Sequence, residues 1–315
     1  MKWFWQALSA LGIVLIFFAR AGHAVPPEGI SWTARATCEF RALAAQHPDK
    51  KLKNRDSLAT KLCGPVMLPR EYEAARDVID DNPEAYAGFF YVNARTRYID
   101  HLLERAARQG ASQIVVLGAG FDSRAYRFHR NYPKVAFFEV DLPATIRAKE
   151  EAVARVLGAL PRYVHYASID FDKQTLDSVL SNAGYDPGKR TFFILEGVTM
   201  YVSEAGIGTT LAFIGKHSLP GSTVVFDYIL RRVADGDYAD LYAASVEAKG
   251  VARVGEPFVT GWTSEEAAAV AAKYGLAVLE DLGAPELTRR YLTGSNGKPD
   301  GRIPEWYRII DAKVR

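Results

Sequence analysis

Four short runs in the chain end in residue types that can hold a nucleoside. VVLGAG closes on Gly118, Ala119 and Gly120, where missing side chains let backbone approach a ligand. The run FFEVD places Glu139 and Asp141 19 and 21 residues beyond Gly120. An acid about 20 residues past such a turn can accept both hydroxyl hydrogens of a ribose. Alternation along a strand puts Glu139 and Asp141 on one face with Val140 opposite, and Asp141, nearer the strand end, is the residue expected to reach the sugar. SIDFD supplies Asp170 as acceptor for an adenine amino group and Phe171 as cover for the ring, with Asp172 expected to cap the following helix. ILEG sets Glu196 beside the first strand, near the middle of the sheet where reacting groups gather. A dinucleotide fingerprint asks for a third glycine at position 123, which is Ser, so an NAD-dependent oxidoreductase is the weaker reading. Cys38 and Cys63 have no His or Cys neighbours at zinc spacing, so no metal is expected; one disulfide is open to them only in an oxidising compartment.

These residues need a scaffold, and the pattern supplies one. Apolar runs at 113–120, 135–141, 163–170, 191–198 and 223–229 alternate with helical stretches, as strands of a parallel sheet covered on both faces do. Runs at 277–283 and 307–314 are expected to add a closing hairpin, giving seven strands in an α/β fold. Before the sheet, 25–110 reads as a helical cap ending in an amphipathic helix over 94–110; 111–315 reads as the ligand-binding domain, the two forming one unit. A helical insertion near 235–255 is placed to roof a site.

At these same residues the sequence resembles the leucine carboxyl methyltransferase family, through ARTRYID, VVLGAGFDSRAYR, FFEVDLP, SIDFD and ILEGVTMYV in that order. The resemblance runs over about 31–315 and implies a Rossmann-like class I methyltransferase that uses S-adenosylmethionine. It further implies that Arg95, with Arg97, holds the methionine carboxylate and that Gly118 lies against the cofactor. Asp141 would take the ribose, Asp170 and Phe171 the adenine, and Glu196 the methionine ammonium. The family's leading Asp-Asp-Pro-Tyr-like block is replaced here by Asn54-Arg55-Asp56-Ser57-Leu58-Ala59, leaving Arg41 as a candidate for that wall of the pocket.

Methyl transfer from a sulfonium needs alignment more than a triad. A carboxylate acceptor has no proton to lose and an arginine can clamp it, so a small-molecule or peptide carboxylate is expected ahead of a hydroxyl. A hydroxyl would need a base, for which Tyr201, His165 or an acid of the insertion could serve. A catalytically silent nucleoside-binding protein is the alternative from another class. Residues 1–24 stand apart: Lys2, an apolar run over 3–19 and the Gly22/Ala24 spacing read as a signal peptide or membrane anchor. An anchored enzyme facing the cytoplasm, where its cofactor is made, is expected ahead of export after cleavage near Ala24. The whole chain carries 39 basic and 37 acidic residues; without 1–24 it carries 37 of each, which excludes an electrostatic nucleic-acid binder.

Overall fold

The computed structural model describes residues 30–63 and 68–315. The apolar leader therefore lies outside the described residues, and among those described no helix is long and apolar enough to cross a membrane. Seven strands form one sheet: β1 (Gln113–Leu117), β2 (Ala136–Asp141), β3 (Val164–Ser168), β4 (Thr191–Leu195), β5 (Thr223–Ile229), β6 (Leu276–Leu282) and β7 (Tyr307–Val314). Their order is β3-β2-β1-β4-β5-β7-β6, parallel except where β7 runs antiparallel to β5 and β6. The alternation of strand and helix in the sequence thus closes as expected, hairpin included.

β1 is buried along its whole length because both its faces are covered. Ile114, Val116, Phe137, Phe192 and Ile194 pack beneath the long helix Ala87–Arg108, with its Tyr98, Ile99, Leu102 and Leu103. Val115, Leu117, Phe138, Val140 and Phe193 face the other way, against Leu211 and Ile214 of the helix Glu204–Lys216. Each large side chain sealed there contributes about 1.5–3 kcal/mol. This two-sided core makes the sheet rigid enough to hold polar groups at its carboxyl edge.

The cap begins with the helix Trp32–Ala44, whose N-cap Ser31 accepts from the Ala34 amide at 3.0 Å. A disulfide joins its Cys38 to Cys63, with the two Cα atoms 5.6 Å apart and both residues buried. The insertion contains a helix, Ala244–Arg253, followed by a turn at Gly255 and an irregular stretch over 256–260 whose Val259 amide donates to the Met200 carbonyl at 2.8 Å.

Candidate active site

The chain order of strands reverses between β1 and β4, and ligands in such sheets bind in the crevice this creates. Register makes the crevice polar. Leu117 pairs with Val140 on one side and Leu195 on the other, and Leu195 pairs in turn with Phe226. The next residues along, Asp141, Gly118, Glu196 and Asp227, therefore form a row across four strands. Gly118 sits in this row with φ +71°, and a Cβ built on it would lie 2.3 Å from Val198 Cγ2. Only glycine fits that turn. Above the row lies a cavity of about 470 Å³.

Of the residues expected from sequence, Arg95, Gly118, Asp141, Asp170, Phe171, Glu196 and Tyr201 all line this cavity. Asp141 accepts from the Gly120 and Leu142 amides, each at 2.6 Å, which ties the β2 end to the glycine turn. Burial nonetheless pushes its carboxyl above the usual range. Glu139, on the same strand face, is fully buried outside the cavity, bound to Lys149 Nζ at 2.9 Å and to the Tyr126 hydroxyl at 2.8 Å. Asp170 keeps Lys173 at 2.7 Å beside the Phe171 ring's end of the cavity.

Two expectations are corrected, and one alternative is closed. Arg97 does not line the cavity, since its helix face turns it outward and its guanidinium donates to the carbonyls of Tyr291 and Lys51. Asp172 is not the cap of the next helix: Thr175 stands at the N-cap of Leu176–Asn182, and Asp172 instead lines the cavity and accepts from Ser203 Oγ at 2.5 Å. His165, weighed as a base, is stacked on Phe138 at 4.7 Å and does not line the cavity.

Sequence reading also missed how densely the floor is charged. Glu196 accepts from Arg95 Nε at 2.9 Å and from Arg124 Nη1 at 2.5 Å. Burial alone would raise its carboxyl, but Arg124 and Arg95 hold it below the usual range. Arg95 also reaches Asp227 at 2.5 Å, and Asp227 accepts from the Gly197 amide at 2.7 Å and the Tyr91 hydroxyl at 3.1 Å. Arg124 continues to Asp122 and Asp100, Arg127 bridges Asp100 and Asp56, and Arg41 pairs with Asp56 at 2.9 Å. Four guanidinium groups (Arg41, Arg95, Arg124, Arg127) thus meet five carboxylates (Asp56, Asp100, Asp122, Glu196, Asp227), a surplus of one negative charge under the cavity. Such a floor suits a ligand of net positive charge. Asp227 was hidden because it sits inside the apolar run TVVFDYI, where nothing in the pattern marks an end.

S-adenosylmethionine fits this donor set: a sulfonium and an ammonium against the negative floor, an acid at the β2 end for the ribose, and Asp170 with Phe171 for the base. Arg41 and Arg95 are the two arginines lining the cavity for its carboxylate. When bound, the group supplies a methyl already activated for transfer. Fold and site together define a class I S-adenosylmethionine-dependent methyltransferase. The leucine carboxyl methyltransferase family model matches residues 34–215, and the chain belongs to that family. Relatives with the provisional name S-adenosyl-L-methionine-dependent methyltransferase include a Parafrankia protein, 28% identical over 78% of this chain and 80% of its own length. A Mycolicibacterium smegmatis protein of the same provisional name is 37% identical over 64% of this chain and 67% of its own. The fold is shared with a crystal structure of a DUF574 family protein from Streptomyces avermitilis, at TM-score 0.58 and 12% identity, covering 93% of this chain and all of that one.

Proposed function

We propose that the enzyme methylates an oxygen of a small-molecule acceptor that enters the cavity beside Glu196. The observation that carries this reading is the wall there, built by Met200, Tyr201, Phe258, Val259 and Tyr307, apolar and aromatic where the cofactor side is charged. Of the two acceptors expected, the lining supports the hydroxyl. Arg41 and Arg95 are both committed to carboxylates, and one of them is needed by the cofactor's own carboxylate. Asp122, Asp141, Asp170, Asp172, Glu196 and Glu256 add a negative lining that repels an acidic acceptor. Incubation with S-adenosylmethionine and matched acids, alcohols and phenols, with S-adenosylhomocysteine quantified, tests this. Turnover confined to carboxylic acids or to amines would refute it.

The disulfide supports a compartment as well as a shape. A buried Cys38–Cys63 bridge belongs to an oxidising environment, which favours an exported catalytic domain over the cytoplasmic one expected first. Thiol trapping and mass determination of protein taken from separated cell fractions check this: free thiols in a cytoplasmic fraction would return the reading to the cytoplasm.

A further inference from the structure

One part-buried acid of the insertion takes no part in the charged floor. Glu247, on the helix Ala244–Arg253, does not line the cavity but accepts from the Tyr307 hydroxyl at 2.7 Å, and Tyr307 does line it. The other oxygen of Glu247, Oε1, is sealed from solvent with no hydrogen-bond partner among the described residues. Tyr307 is the first residue of β7, paired with Ile229 at the carboxyl end of β5, so its phenol stands at the edge of the sheet where the acceptor wall rises. Its ring is fixed by stacking on Tyr91 at 4.0 Å and an interplanar angle of 8°.

We propose that Tyr307 and Glu247 form a proton relay for a hydroxyl acceptor, Tyr307 touching the acceptor and Glu247 taking the proton through it. This rests on the O-methyltransferase reading above. The acceptor's proton passes to Tyr307 Oη as the phenol's own proton passes to Glu247 Oε2. The oxygen's electron pair forms the new bond to the methyl carbon while the carbon–sulfur bond breaks and its pair stays on sulfur. After the product leaves, the proton returns through Tyr307 to water in the refilled cavity. Glu247 is suited to this because burial pushes its carboxyl up to about 7, against hydrogen bonds from Tyr307 and the Gly88 amide that lower it. The groups facing the pair are Gly88 from the long helix, Tyr91, Tyr242, and Tyr201, which itself feels Glu256 and Arg95. Tyr201 leans on Phe258 with ring centroids 5.6 Å apart and shapes the same wall.

The test uses the full chain saturated with S-adenosylhomocysteine and 4-cyanophenol as an ultraviolet-absorbing acceptor probe, at a pH above about 7, where Glu247 is ionised, and below the probe's own higher pKa. Binding to the relay ionises the probe and its phenolate absorbance appears. Tyr307→Phe, which keeps the stacked ring, and Glu247→Gln each reduce that absorbance about tenfold or more, and Glu247→Asp restores part of it. S-adenosylhomocysteine affinity, read separately by calorimetry, stays within about threefold in all three variants. With an alcohol or phenol substrate, both relay-breaking variants lose about 100-fold in kcat with the acidic limb of the pH profile displaced, where a merely structural role would change KM and leave the limb in place. A probe that stays protonated on the native protein, fails to bind, or ionises equally on Glu247→Gln overturns the relay. Failure of the native protein to bind S-adenosylhomocysteine would instead overturn the methyltransferase reading beneath it.

Discussion

At Gly118 the chain accepts no side chain. A left-handed φ of +71° costs an L-residue about 1–2 kcal/mol, and the added methyl meets Val198 besides. Gly118→Ala should lower stability by about 2–4 kcal/mol, seen as a fall in the denaturant midpoint, and a double-mutant cycle with Val198→Ala should show favourable coupling between the two sites. Asp141→Asn tests ribose recognition. It keeps one acceptor oxygen but turns an NH2 on one of the two amides that Asp141 holds, so it should weaken S-adenosylhomocysteine binding by about 1.5–3 kcal/mol, read by titration calorimetry, and lower stability by about 1–3 kcal/mol as the strand end loosens. Glu196 behaves differently because it is shared. Neutralising it leaves Arg95 and Arg124 short of a counter-charge, so Glu196→Gln should cost about 3–5 kcal/mol of stability together with cofactor binding.

Among the elements, the cap helix Trp32–Ala44 is fastened at three points. Glu256 of the insertion accepts from the Trp32 and Thr33 amides at 2.8 and 3.0 Å, the disulfide grips its middle, and Arg41 holds Asp56 and the Phe121 carbonyl near its end. Cross-linking residues 25 apart restrains the unfolded chain by about 3.5 kcal/mol on loop-closure grounds. Reduction should therefore lower the melting temperature and weaken S-adenosylhomocysteine binding together, because Ser31, Thr33, Thr37 and Arg41 line the cavity from this helix. Cys38→Ala/Cys63→Ala should reproduce both effects without reductant. The sheet was legible in the sequence because continuous apolar runs bounded by glycine and acids have few other uses. Arg95, Asp141 and Glu196 were legible as strand-end or motif residues. Arg97 misled because it lies two positions from Arg95, and on a helix that spacing points to another face. Tyr307, Glu247 and Asp227 carried no local mark at all: the β5–β7 pairing and the return of the insertion bring them together over separations no short pattern spans.

For the molecule as a whole, buried acids set a characteristic response to pH. Glu139 and Glu247 are both pushed up to about 7 by burial, above the 4.5 of an exposed glutamate. Between those values the folded chain holds protons that the unfolded chain has lost, so stability falls as pH rises through that window, by up to about 3 kcal/mol for each group. Asp122, Asp56 and Glu196 act oppositely: held low by their arginines against burial, they contribute stability that disappears as pH drops below the ordinary carboxylate range. Asp141 and Asp311, also raised by burial, add to the same trend, so calorimetric melting temperature should peak on the acidic side of neutrality and Glu247→Gln should remove part of the decline toward neutral pH.

The Glu256 clasp on the cap helix carries a kinetic consequence. Of the three fasteners on this cavity-lining helix, the disulfide is covalent and the Arg41 contacts are buried, so the part-buried hydrogen bonds of Glu256 are the ones that break and re-form most readily. If release of spent cofactor requires this helix to swing out, added viscogen should slow kcat in the native enzyme while leaving a Glu256→Ala variant nearly indifferent; equal slowing of both would place the slow step elsewhere. The protein would then work as a ratchet whose stroke is set by one acid in the wall of its own cavity.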